Sequence, residues 1–260
     1  MKTISLAFIV FALSTILAAQ NNIPAGTIIP ISLNSSLDTK RSKPGQPITA
    51  KVEQDVPVQN RKWLKAGTRV SGEIMAVTRS RGSQPATMTL RFTRLETAGQ
   101  SVPISTHLRA IASPLDVQAA ESQSSGFERG SQPPWSQNTV QIGGDAVYRE
   151  PGIVERRGER VGESVFAGNW GVLARVSSDP STDCRGAVAG NDNPQALWVF
   201  SHDACGVYGL DAVLRDAGQT HPEGQIVLES TKGDLKLRTG TALLLRVNAS
   251  GEKTNEVPGR

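Results

Sequence analysis

The run Ser201-His202-Asp203-Ala204-Cys205-Gly206 places an imidazole, a carboxylate and a thiol close together. Those are the side-chain types of a nucleophile, its base and the group that orients the base. The spacing argues against that chemistry, because neighbours on a strand point to opposite faces and His202 would not meet Asp203. A zinc site needs three or four converging ligands, yet His107, His202 and His221 fall in separate segments. Asp179, Asp183, Asn191, Asp192 and Asn193 offer calcium-type oxygens without a regular ligand spacing, and an Asx-rich turn accounts for them. No G-x-S-x-G elbow and no phosphate loop occurs. The sequence therefore assigns no catalytic residue, no metal and no cofactor.

What remains is charge and aromatic surface. Three basic runs stand out: Lys40, Arg41 and Lys43; Arg61, Lys62 and Lys65; Arg79 and Arg81. All fall at expected strand ends or loops, so they could gather at one rim and attract anionic lipid, surface polymer or nucleic acid. Nucleic acid is the least favoured of these partners. Residues 23–112 hold 13 Lys or Arg against 5 Asp or Glu, and residues 113–260 hold 14 against 19. The two halves are expected to face different partners or each other. Trp135, in a polar stretch, is the candidate for stacking on a sugar ring, whereas Trp170 and Trp198 sit in apolar strands and read as core.

The N-terminus sets the compartment. Lys2 precedes an apolar run of 16 residues, Ile4 to Ala19, shorter than a membrane span and suited to a signal peptide. Cleavage after Ala19 would leave a protein without a spanning segment, periplasmic or extracellular and open to outer-membrane association. In that compartment Cys184 and Cys205, the only two cysteines, are expected to pair. Closing their loop would contribute on the order of 3 kcal/mol.

Several segments carry the period-2 pattern of half-buried strands. Ile48, Ala50 and Val52 face one way, as do Met88, Leu90 and Phe92, and then Val102, Ile104, Thr106 and Leu108. Gly72 interrupts the strand from Val70 to Val77, where a bulge or a close backbone approach is expected. Residues 113–139, rich in Ser, Gln, Gly and Pro, read as a flexible linker, and no helix is expected. The fold class is all-β: a small antiparallel barrel or sandwich over 20–112, then a disulfide-tied second β region over 140–250. Residues 251–260 are expected to form a disordered tail.

Three turns share one script: Ala25-Gly26-Thr27, Ala66-Gly67-Thr68 and Thr239-Gly240-Thr241. Glycine takes a conformation other residues resist, and threonine opens a strand. The order Ile23-Pro24-Ala25-Gly26-Thr27, Lys43-Pro44-Gly45, Leu64-Lys65-Ala66-Gly67-Thr68, then Leu90, Phe92 and Leu95, resembles a known domain. It is similar, over residues 23–108, to the β-barrel domain of the scaffold subunit of type IV secretion and conjugative-transfer core complexes. That resemblance implies an envelope barrel that assembles with copies of itself or other envelope proteins. The chain shows no apolar helical pair like that family's membrane insertion, so a reused barrel module is the expectation.

Together these readings imply a non-catalytic exported envelope protein with a structural or interaction role, in a secretion or surface assembly. A secreted module for glycans or anionic wall polymer is the alternative, and a hydrolase with an unrecognised site is the third reading.

Overall fold

The computed structural model describes residues 23–58, 62–97, 99–124, 138–149, 153–156, 159–165, 171–174, 195–201, 204–218 and 224–248. The expected leader and tail lie outside these residues. The first strands are β1 (Ile28–Leu33), β2 (Leu37–Asp38), β3 (Pro47–Val52), β4 (Val56–Pro57), β5 (Trp63–Leu64), β6 (Arg69–Thr78), β7 (Thr87–Thr97), β8 (Gln100–Pro103) and β9 (Thr106–Ala112). Helix α1 (Pro114–Ser124) leads to β10 (Asn138–Gln141), β11 (Gly144–Arg149), β12 (Ile153–Arg156), β13 (Glu159–Val165), β14 (Gly171–Ala174) and β15 (Gln195–Trp198). Then come β16 (Gly206–Tyr208), β17 (Ala212–Asp216), β18 (Ile226–Ser230), β19 (Lys236–Leu237) and β20 (Ala242–Val247).

The protein is all-β in class, with one short helix among the described residues. Its main sheet runs β16–β9–β20–β1–β3–β6–β7–β18–β17, and β8 pairs the far half of β7. The sheet curls until its ends nearly meet: the Leu108 N–H of β9 donates to the Ala217 carbonyl just past β17, at 2.7 Å. The expected alternation fills this barrel. Ile48, Ala50, Val52, Met88, Leu90 and Phe92 all point into one core with Ile29, Ile31, Leu243 and Leu245.

The expected domain boundary at 112 is corrected. β20 lies between β1 and β9, with Ile28 opposite Arg246 and Ala242 opposite Ala112. β18 covers β7 on the other flank. Residues 23–112 alone would leave β1, β7 and β9 with unpaired edges, and the C-terminal strands satisfy them. The second β region is thus an insertion between β9 and β16, a meander in the order β10–β11–β12–β13–β14–β15. Charge follows the same boundary. Residues 23–112 and 206–248 together hold 18 Lys or Arg against 10 Asp or Glu, while 113–205 hold 7 against 12.

The expected linker at 113–139 is corrected in its first part, which is α1. The Ser113 Oγ accepts from the Asp116 N–H at 3.2 Å and donates to the Asp116 carboxylate at 2.8 Å, and Pro114 suits the first helical position. One face of α1 covers the outside of the barrel. Val117 and Ala120 pack with Ile28, Ala110, Ala112 and Leu244, and with Leu197, Trp198 and Phe200 around β15. With β15, which lies along β1, that cover keeps the outer side of Ile28, Ala110 and Ala112 dry, where simple alternation would leave one face wet.

Two buried glutamines stitch the joint: Gln195 Oε1 accepts from the Ile28 N–H at 3.0 Å and Gln54 Oε1 from the Trp198 N–H at 2.7 Å. Trp198 has a φ of 49°, a left-handed conformation costing about 1–3 kcal/mol for a bulky residue. The Gln54 bond and the Glu121 carboxylate, which accepts from the indole, hold it there.

The glycine turns behave as their sequence implies. Gly26, Gly67 and Gly240 have φ of 84°, 83° and 82°, and each following threonine N–H donates to the residue three back: Pro24, Lys65 and Arg238. Each glycine N–H reaches a neighbouring strand, at Val247, Val52 and Leu33 respectively. This is a type II turn spliced onto the sheet. Lys43-Pro44-Gly45-Gln46 is a fourth copy, with Gly45 at φ 78° donating to Ile74. A Cβ added at Gly67 would meet nothing within 4 Å, so only backbone strain opposes it. Gly67→Ala is expected to cost about 1 kcal/mol in urea unfolding, and a loss several times larger would refute strain as the only penalty.

Candidate functional site: a basic end of the barrel

Consecutive antiparallel strands put their turns at alternate ends. The loop from β1 to β3 and the loop from β6 to β7 therefore share one end, and the loop from β3 to β6 lies at the other. The expectation of one common rim is corrected accordingly. Lys40, Arg41, Lys43, Arg79 and Arg81 share an end, while Lys62 and Lys65 stand at the opposite end. Arg61 and Trp135 lie outside the described residues.

The sheet brings a third loop to the first end. The two-stranded ribbon of β2 with β19 pairs Asp38 with Lys236, and it carries in Lys232, Lys236 and Arg238, all exposed. Sequence reasoning missed these three, because only the barrel's closure by C-terminal strands places them there. The end is rigid where its loops meet. Asp234 accepts from the Ser80 N–H and from the Thr39 hydroxyl, both at 3.2 Å, and pairs with Lys40 at 3.4 Å. Burial pushes the Asp234 carboxyl up, but Ser80, Thr39 and Lys40 together hold it below its ordinary value. Arg79 Nη2 donates to the Lys40 carbonyl at 2.5 Å, which fixes the arginine without neutralising it.

The two ends differ in how their cations are matched. At the opposite end Lys65 pairs with Asp55 at 2.8 Å and Arg69 with Glu96 at 3.7 Å; nearby, Lys51 pairs with Glu53 at 3.0 Å. At the first end Lys40 has Asp234. Arg41, Lys43, Arg79, Arg81, Lys232, Lys236 and Arg238 are exposed and make no ion pair among the described residues. Unpaired exposed cations from three loops make a field that attracts an anion and leave donors free to contact it.

Other sequence candidates resolve differently. His107 is buried in β9, its Nδ1 bonded to Asn248 Oδ1 at 2.5 Å. His202, Asp203, His221 and the five Asx residues proposed for calcium lie outside the described residues. Among the described residues no cluster of three His, Cys, Asp or Glu could hold a metal, and no helix is long and apolar enough to cross a membrane. Cys205 donates its N–H to the Tyr208 Oη at 3.0 Å, and no free cysteine occurs among the described residues. Cys184, its expected partner, lies outside them. Trp198 is buried, as expected for core, whereas Trp63 is exposed at the opposite end.

One other polar cluster sits at the joint. Ser32 Oγ donates to Glu53, which also pairs with Lys51. Burial and the nearby Glu53 raise the Glu121 carboxyl, while the Trp198 indole lowers it. These contacts fasten β1, β3, α1 and β15 together.

No protein-family model matches this chain, and no curated protein matches it.

Proposed function

We propose that this chain is an exported, non-catalytic envelope protein that acts by interaction, and that the basic end of its barrel engages an anionic partner. The convergence of Lys43, Arg81 and Lys236 with Arg41, Arg79, Lys232 and Arg238, exposed and without ion pairs among the described residues, carries the reading. The N-terminal apolar run supports export. The likeness of residues 23–108 to a secretion-scaffold barrel supports a place in a secretion or surface assembly. A bond between Cys184 and Cys205 belongs to the same reading, as a tie closing the loop that holds β15, which the export compartment would permit.

The test is binding of the full chain to inorganic polyphosphate at several salt concentrations. Each cation at such a surface contributes up to about 1 kcal/mol. The triple variant Lys43→Gln, Arg81→Gln, Lys236→Gln is expected to bind at least tenfold more weakly and with a shallower salt dependence. The double variant Lys62→Gln, Lys65→Gln, at the opposite end, is expected to bind as the wild type does. Equal weakening by both variants would refute a site at this end.

A further inference from the structure

We infer that the basic end docks on the surface of an anionic phospholipid bilayer, with Leu115 entering the boundary between headgroups and acyl chains. The inference rests on the reading of that end as an anion-binding surface and names its partner. Leu115 is the most exposed large apolar side chain among the described residues, at 73%; the other, Trp63, lies at the far end. It sits in the first turn of α1, which starts where β9 reaches the basic end. Pro114 beside it is the nearest group to a Cβ built on Gly240, in the turn that also carries Arg238.

Leu115 is displayed by a firm support. The Ser113 and Asp116 contacts lock the first turn. Gly209 packs so close that an added Cβ would overlap the Asp116 carboxylate. Val117 and Ala120, on the other face of the helix, are buried against the barrel. A rigid apolar projection beside unpaired cations suits an interface where phosphates lie above hydrocarbon.

The chemistry favours a bilayer over a nucleic-acid strand. Single strands are held by aromatic side chains interleaved with cations, and the basic end has no exposed aromatic residue among the described residues. Lysine and arginine on long stems can reach headgroup phosphates while the loops stay at the surface.

The experiment is co-sedimentation of the full chain with vesicles of phosphatidylcholine alone or mixed with phosphatidylglycerol, with polyphosphate binding measured in parallel. Binding to the mixed vesicles alone is expected. Lys43→Gln with Arg81→Gln should weaken it tenfold or more. Leu115→Ser should weaken vesicle binding about tenfold and leave polyphosphate binding unchanged. Circular dichroism of each variant checks that the fold persists. Binding to polyphosphate without binding to mixed vesicles would overturn the bilayer while leaving the anionic reading intact. Vesicle binding indifferent to Leu115→Ser would overturn the insertion, and binding to neither probe would overturn both readings.

Discussion

Gly72→Ala is expected to lower unfolding stability by about 3 kcal/mol or more, the upper range for an overpacked core position. β6 is flanked by β3 and β7, with Ile48 and Phe92 in register with Gly72. The register with β7 slips between Ser71 and Gly72, and this bulge turns the Gly72 Cα toward the next strand. A Cβ there would overlap the Arg91 carbonyl oxygen and lie 3.0 Å from Arg91 C and Phe92 Cα. Those are backbone atoms in the middle of a core strand, so no side-chain rotation relieves the clash. β7 would have to move, displacing the fully buried Phe92 and the Arg91 to Glu73 ion pair at 2.7 Å. Gly67→Ala is the matched control, since it adds the same methyl where nothing stands in the way. Urea unfolding of both variants separates collision from backbone strain. Similar losses in the two would refute the close approach at Gly72.

Gly72 was legible because a glycine inside an alternating strand marks a bulge or a place where another backbone comes close. The type II turns were legible for a similar local reason. The closure of the barrel was not, because Ile28 meets Arg246 across almost the whole chain and no local pattern names a partner so distant. α1 left a readable signal in Ser113-Pro114-Leu115-Asp116, a cap, a first-turn proline and an acid at the third position. The polar composition that follows outweighed it. For the basic end, the runs at 40–43 and 79–81 were visible and rightly placed at turns. The run at 61–65 could have been sent to the opposite end by counting strands, since one strand separates it from each of the others. Lys232, Lys236 and Arg238 could not have been added by counting, because they depend on the non-local pairing of β2 with β19.

Acidification from about pH 6.5 to about pH 4 is expected to cost this fold about 3 kcal/mol through His107 alone. Burial lowers the His107 pKa to about 4 from its ordinary 6.5; the Asn248 hydrogen bond opposes this, and the charges of Arg246 and Arg109 add to it. Asn248 Nδ2 donates to Ser105 Oγ at 3.0 Å, which turns Oδ1 toward the ring and assigns the proton to His107 Nδ1. Nε2 is then a bare lone pair, buried and without a hydrogen-bond partner among the described residues. Protonating it would put a cation beside the arginine that pairs with it across β9 and β20. Above pH 6.5 neither the folded nor the unfolded chain protonates this ring. Between 6.5 and 4 the unfolded chain takes up the proton and the folded one does not, so stability falls as pH falls. Below 4 both are protonated and the loss is complete. The size follows from the gap between the two pKa values, at 1.36 kcal/mol for each unit. His107→Asn keeps a donor toward Asn248 and removes the titration. Urea unfolding across this range should therefore show the variant losing about 3 kcal/mol less than the wild type. Carboxylates titrate in both proteins and cancel in that difference. Parallel curves would mean that His107 opens to water and takes its proton in the folded state.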